Sequence, residues 1–161
     1  MFSGASIMAH VMTIADLIDE VKVQQGKSDL RILDYGCGKG IQYAKHGIHK
    51  LHWKVSLPFR YDIGVPNFRT KPPAHSFDGV VCTDVMEHIE EEDLETIFTQ
   101  IFNSLDPNVI TFAFFSICCR FAKKTFPDGR NVHRTVQPPE WWHDRMARYK
   151  DPKMRVIVHY T

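Results

Sequence analysis

A short apolar strand that runs into three alternating glycines limits this chain more than any other feature. Leu30-Arg-Ile-Leu-Asp34 is followed by Tyr35-Gly-Cys-Gly-Lys-Gly40, and helix-compatible residues fill 41–46. Glycine has no Cβ, so it takes left-handed backbone readily and lets a ligand come close to the main chain. The start of the following helix offers backbone N–H groups to a polar ligand. Strand, glycine loop and helix together predict a nucleotide-type site at the carboxyl end of a parallel strand. A plain loop and helix cap would use the same residues, so the spacing matters. A dinucleotide loop spaces its glycines G-x-G-x-x-G, whereas this one reads G-x-G-x-G with an acid, Asp34, two residues before Gly36.

The rest of the chain supports an alternating α/β order. Ile7, Val11, Ile14, Leu17, Ile18 and Val21 recur at helical spacing and Gly26 ends the pattern, which predicts one amphipathic helix over 5–25. Residues 77–82 and 109–115 are near-continuous apolar runs, as expected of parallel strands buried on both faces. Between them Leu94, Ile97, Phe98, Ile101, Phe102 and Leu105 form one helical face, preceded by acids at 90–93 that suit a helix start. Residues 127–139 read as loop, 140–149 as helix and 154–160 as a last strand. The prediction is a Rossmann-like α/β/α sandwich with a mostly parallel sheet. A length of 161 residues fits one domain, 1–161, with a cofactor-binding core over 5–117 and an acceptor-binding loop, helix and strand over 118–161.

Charge and hydropathy narrow the partners. Twenty Lys and Arg against 19 Asp and Glu leave +1, which argues against a general polycation that coats nucleic acid or membrane. Asp16, Asp19 and Glu20 interrupt the opening segment, so it lacks the form of a signal peptide, and no apolar run reaches the roughly 20 residues of a membrane span. Cys37, Cys82, Cys118 and Cys119 form no CxxC pair and read as reduced thiols. A cytoplasmic location is the expectation.

Residues 33–40, Leu-Asp-Tyr-Gly-Cys-Gly-Lys-Gly, resemble the first motif of class I S-adenosylmethionine-dependent methyltransferases. Residues 76–89, Ser-Phe-Asp-Gly-Val-Val-Cys-Thr-Asp-Val-Met-Glu-His-Ile, resemble a strand and loop of the same superfamily's small-molecule branch. The resemblance covers about 5–117 and implies S-adenosylmethionine as cofactor. It implies cofactor contacts for Asp34, Tyr35, Gly36, Cys37, Gly38 and Gly40, with the glycines under the methionine part and Asp34 near its ammonium group. Asp84 and Val85, after the second motif, join that set. The ribose acid of the family falls on Asp62, because 36–60 contains no Asp or Glu.

This chain departs from the family in what it lacks. Asp62 to Phe77 is too short for the usual helix and third strand, so the fold should be trimmed relative to the seven-stranded form. The adenine pocket then has only His75, Phe77 and the Pro72-Pro73 loop as sequence neighbours. The exposed sheet edge would be protected by self-association or by the 63–76 loop. A typical member continues into a final strand hairpin, so the expectation is a fold trimmed at that end too.

On the acceptor side, His88 is a candidate general base with Glu87 as its orienter, or else a residue that packs the next helix. His133 is the second candidate base. Asp84, Glu87 and His88 read D-x-x-E-H, which resembles the metal-binding element of small-RNA terminal 2′-O-methyltransferases; His133 would close such a site around Mg²⁺ or Mn²⁺. No metal is assigned on sequence grounds. From 117 to 155 ten Lys and Arg face four Asp and Glu. Arg130, His133, Arg134, Trp141 and Trp142 form a segment suited to a sugar, phosphate or planar ring, with one of the two tryptophans expected instead to anchor the terminal helix to the sheet. Residues 126–142 resemble uncharacterised methyltransferases of bacteria and their phages. A small polar acceptor, anionic or sugar-like, is the leading expectation. The rivals are an NAD-type module, whose glycine spacing differs, a degenerate non-catalytic binder, and an RNA 2′-O-methyltransferase-like enzyme. A base amino-methyltransferase would carry an acid or Asn before Pro-Pro-aromatic where this chain has Thr83-Asp-Val-Met.

Overall fold

Side chains alternate across a strand, so a buried strand feeds two layers at once. A computed structural model describes residues 5–161. In it β1 (Ile32–Tyr35) and β3 (Gly79–Thr83) turn Leu33, Tyr35, Val80 and Cys82 to one face and Ile32 and Val81 to the other. The long β4 (Thr111–Ile117) does the same, with Ala113 and Phe115 on the first face and Phe112 and Phe114 on the second. Helix α1 (Val11–Gln25) covers the second face through Ile14, Leu17, Ile18 and Val21. Helices α4 (Leu94–Asn103) and α5 (Pro139–Met146) cover the first through Phe98, Ile101, Trp142 and Met146. Two one-turn helices, α2 (Ile41–Ala44) and α3 (Ile48–Leu51), lie between β1 and the short β2 (Phe59–Tyr61).

The five strands run β2-β1-β3-β4-β5, with β5 spanning Met154–Tyr160, and every neighbouring pair is parallel. The sheet is therefore a trimmed Rossmann-like sheet. Among the described residues no strand lies beyond β2, which agrees with the missing third strand. The chain after β2 turns back instead: Phe68 O accepts the Asp62 N–H at 2.9 Å, and the Arg60 guanidinium lies 4.6 Å from the Phe68 ring centre. Part of the 63–76 loop thus folds against the carboxyl end of the edge strand. No described helix is long and apolar enough to cross a membrane.

Several predicted elements shift. The helix expected over 5–25 begins as a 3-10 turn, Ala5–His10, and becomes α-helical only at Val11. The helix expected over 41–46 stops at Ala44, because Gly47 enters the left-handed region at φ 57° and starts a new turn. The strands read as 77–82 and 109–115 lie about two residues further on; Phe77 makes only an isolated bridge with Leu105. The helix read as 140–149 is α5 followed by a 3-10 turn, Ala147–Tyr149.

Candidate active site

Parallel strands bring all their carboxyl ends to one edge, so the residues after β1, β2, β3 and β4 meet there. Gly36, Gly38 and Gly40 have φ of 82°, 56° and 67°, values that any residue with a Cβ adopts only under strain. The loop is tied to β2. Tyr61 O accepts the Gly36 and Cys37 N–H groups at 2.7 and 3.1 Å. Asp62, next along, accepts the Gly38 N–H on Oδ2 and the Gly64 N–H on Oδ1, each at 2.8 Å. Asp62 therefore stands at the end of the second strand beside the glycine loop and remains half-buried.

Asp34 points inward. Its side chain is buried, and Oδ2 accepts the Tyr43 hydroxyl at 2.8 Å and the Gln42 amide at 2.9 Å. Burial pushes its carboxyl up to about 6, against the opposing pull of these two bonds. Tyr35 packs against Tyr61 with ring centres 4.8 Å apart, and its hydroxyl donates to Gln100 Oε1 at 2.9 Å. The Cys37 thiol is buried and its pKa is driven upward by desolvation, so it is a packing group and no nucleophile.

The chain leaves β3 through a strained residue. Asp84 has φ 53°, is exposed, and its carboxylate accepts the Ser116 hydroxyl while its N–H donates to Ser116 O at 2.9 Å. Val85 then lies directly over Gly36. The 3-10 turn Met86–His88 follows. Glu87 is fully buried; desolvation pushes its carboxyl up to about 7, while the Cys118 N–H donates to Oε1 at 3.1 Å. The expectation that Glu87 orients His88 is corrected, because the backbone does that work: His88 Nδ1 donates to Val132 O at 2.8 Å.

The segment expected to carry the acceptor runs alongside this turn. Glu87 O accepts the Arg134 and Thr135 N–H groups at 2.7 and 3.1 Å, and the Thr135 hydroxyl donates to Ile89 O at 2.7 Å. His133 thereby meets His88 edge-to-face, with ring centres 4.8 Å apart. The two histidines are 45 positions apart in sequence and adjacent in the fold.

One of the two tryptophans is expected to anchor the terminal helix to the sheet, and Trp142 does so, wholly buried in the core; Trp141 carries the Arg145 guanidinium 4.0 Å from its ring centre. The expectation of a broadly basic acceptor surface is corrected. Arg130, Arg134, Arg145, Arg148 and Arg155 each pair with an acid, namely Asp128, Glu90, Glu91, Glu95 and Glu20. Five of the ten basic residues are thus answered by carboxylates, four of these acids from outside the segment. His75 and Phe77 precede β3, so they lie at the amino end of the sheet, away from the glycine loop. There His75 joins Asn103, Asp106 and Lys153 around a groove of about 190 Å³. Asp84, occupied with Ser116, stands outside the group formed by Glu87, His88 and His133.

Sequence reasoning missed a second histidine pair at this edge. His10, at the junction of the first turn with α1, lies 4.8 Å from the His159 ring and 5.2 Å from Phe114. Nothing in the local sequence marks His10, since it becomes a neighbour of β4 and β5 only through the packing of α1.

The loop suits a cofactor that offers a ribose and a cationic amino acid: a half-buried carboxylate stands at the end of β2 and a buried one at the end of β1. A family model described as a methyltransferase domain matches residues 8–150. No curated protein matches the chain.

Proposed function

The chain belongs to the methyltransferase domain family, and on that premise we propose that it transfers the methyl group of S-adenosylmethionine to a small polar or anionic acceptor. The observation that carries the reading is Asp62, held beside the glycine loop by the Gly38 N–H at 2.8 Å. A carboxylate oxygen that takes one N–H keeps lone pairs for further donors, so Asp62 can also receive ribose hydroxyls. Asp34, Gly36, Gly38 and Gly40 line the same loop, with Asp84 and Val85 opposite. When bound, the cofactor supplies a methyl group on a sulfonium sulfur, open to in-line attack.

The protein's own part is alignment and proton handling. His88 and His133 stand together beyond β3, each with Nδ1 bonded to a backbone carbonyl, and we assign them to the acceptor. Burial lowers the His88 pKa, which keeps its ring neutral and able to take a proton. Arginines of 130–148 are largely paired with acids, so an anionic acceptor would be met by local donors rather than by a broad positive field. The test is calorimetric titration of the purified protein with S-adenosylhomocysteine, followed by an acceptor screen with methyl-labelled S-adenosylmethionine. Saturable binding is expected. A folded protein that binds neither compound at millimolar concentration would refute the reading.

A further inference from the structure

Glu87, His88 and His133 each offer one possible ligand atom, and these atoms lie within 4.8 Å of one another. Each side chain is aimed from behind. The Val132 carbonyl holds His88 Nδ1 at 2.8 Å, and the Arg120 carbonyl holds His133 Nδ1 at 2.6 Å. A carbonyl only accepts, so both rings carry their proton on Nδ1 and have their lone pair on Nε2. The Cys118 N–H holds Glu87 Oε1 at 3.1 Å, which leaves Oε2 of this wholly buried side chain without a hydrogen-bond partner. A buried carboxylate oxygen in that condition is costly. A cation among these atoms would satisfy it.

We propose that Glu87, His88 and His133 form a three-ligand site for a divalent transition-metal ion of the Zn²⁺ class. Two imidazole nitrogens and one carboxylate oxygen are a set that such ions take while keeping a position open for water or substrate. Metal-bound histidines characteristically donate their other N–H to a carbonyl or carboxylate, and both rings here already do so. Donors around a tetrahedral ion at about 2.0–2.1 Å stand roughly 3.3 Å apart, so closure asks for side-chain shifts on the order of 1 Å. The site is braced from two directions, since Glu87 O accepts the Arg134 and Thr135 N–H groups and so joins the loop bearing Glu87 and His88 to the segment bearing His133. The role of the ion rests on the methyltransferase reading: it would hold an acceptor oxygen, and with Nε2 of both rings on the ion the histidines would serve as its ligands in place of taking the acceptor's proton themselves. Its binding rests on the geometry alone.

The experiment is titration of chelator-treated, dialysed full-length protein with Co²⁺, read by visible absorption, and with Zn²⁺ in competition. One saturating equivalent per chain is expected, with a rise in melting temperature. His133→Ala and Glu87→Gln should each weaken Co²⁺ binding at least about tenfold, while His143→Ala, on the exposed side of α5, leaves it unchanged. If His133→Ala fails to fold, His133→Gln and the wild-type titration still decide. Absence of saturable binding in the wild type, or full binding in both His133 and Glu87 variants, overturns the proposal. S-adenosylhomocysteine titrated into the same metal-free protein keeps the two readings separate. Metal binding without cofactor binding removes the methyltransferase reading alone, and the reverse removes the metal.

Discussion

Val85 occupies the space that any side chain at Gly36 would need: a Cβ built there would lie 2.2 Å from Val85 Cγ2. The loop after β1 and the loop after β3 are thus in direct contact, and their fit depends on a missing methyl. Gly36 also sits at φ 82°. Gly36→Ala should therefore cost about 2–4 kcal/mol, from left-handed strain and overpacking together. Gly36→Ala with Val85→Ala should recover only part of it, because the strain remains. Denaturant unfolding of the two single variants and the double variant measures this; full recovery would show that backbone strain contributes nothing.

Asp62→Ala should weaken S-adenosylhomocysteine binding by about 1–3 kcal/mol through lost bonds to a charged acceptor. Gly38→Val should abolish it, since a β-branched residue at φ 56° is strained and bulky. Calorimetry on folded variants checks both. Unchanged affinity in the pair would move the cofactor away from the loop.

Asp34 predicts a pH effect with a defined sign. Its carboxyl is raised to about 6 in the folded protein, from an ordinary value of 3.8. Between those values the unfolded chain loses the proton first, so the contribution of Asp34 to stability falls as pH rises through that window. Asp34→Asn keeps an oxygen for Tyr43 and Gln42 and removes the fall. The variant should gain up to about 3 kcal/mol over the wild type above pH 6 and nothing below pH 4. Its affinity for S-adenosylhomocysteine should drop, since the carboxylate is lost. Unfolding curves at pH 4 and pH 7.5 give the comparison, and an equal difference at both would refute it.

His88→Ala and His133→Ala should each lower turnover of an identified acceptor by at least about tenfold, near the low end of what acid–base groups contribute. Cofactor affinity should barely change, because neither residue belongs to the glycine loop. Initial rates at saturating S-adenosylmethionine are the measurement. Undiminished rates in both variants would leave alignment as the whole of the protein's contribution.

Trp142→Ala should cost about 3–5 kcal/mol as a large core truncation. Trp142→Phe should cost much less, since it also removes a buried Nε1–H that has no partner. Trp141→Ala should lose only about 0.5–1 kcal/mol with its Arg145 contact. Thermal or denaturant unfolding ranks the three. A larger loss at Trp141 would contradict the packing of α5.

Much of the fold was legible because buried parallel strands leave runs of apolar residues that nothing else explains. Residues 154–160 coincide with β5, and the face Leu94, Phe98, Ile101 and Phe102 is the buried face of α4. Element starts were less legible. Phe77 is as apolar as a strand residue, yet it bonds to the end of the α4 segment and only then does β3 begin. The glycine loop and Asp62 could be named because local backbone freedom and a lone acid are properties of the residues themselves.

What the sequence determined by itself was the alternation of strand and helix, the left-handed glycine loop and the side chains available for chemistry, since these follow from local backbone sterics and hydrophobic periodicity. Only the tertiary structure decided their partners. It turned Asp34 toward Tyr43 and Gln42, paired four arginines of the basic segment with distant acids, and set His133 against His88. The physical reason is clearest at Glu87, His88 and His133, which are held by backbone carbonyls and N–H groups of remote segments, namely Val132, Arg120 and Cys118. Every residue carries those groups, so no side-chain pattern announces which of them will aim a ligand.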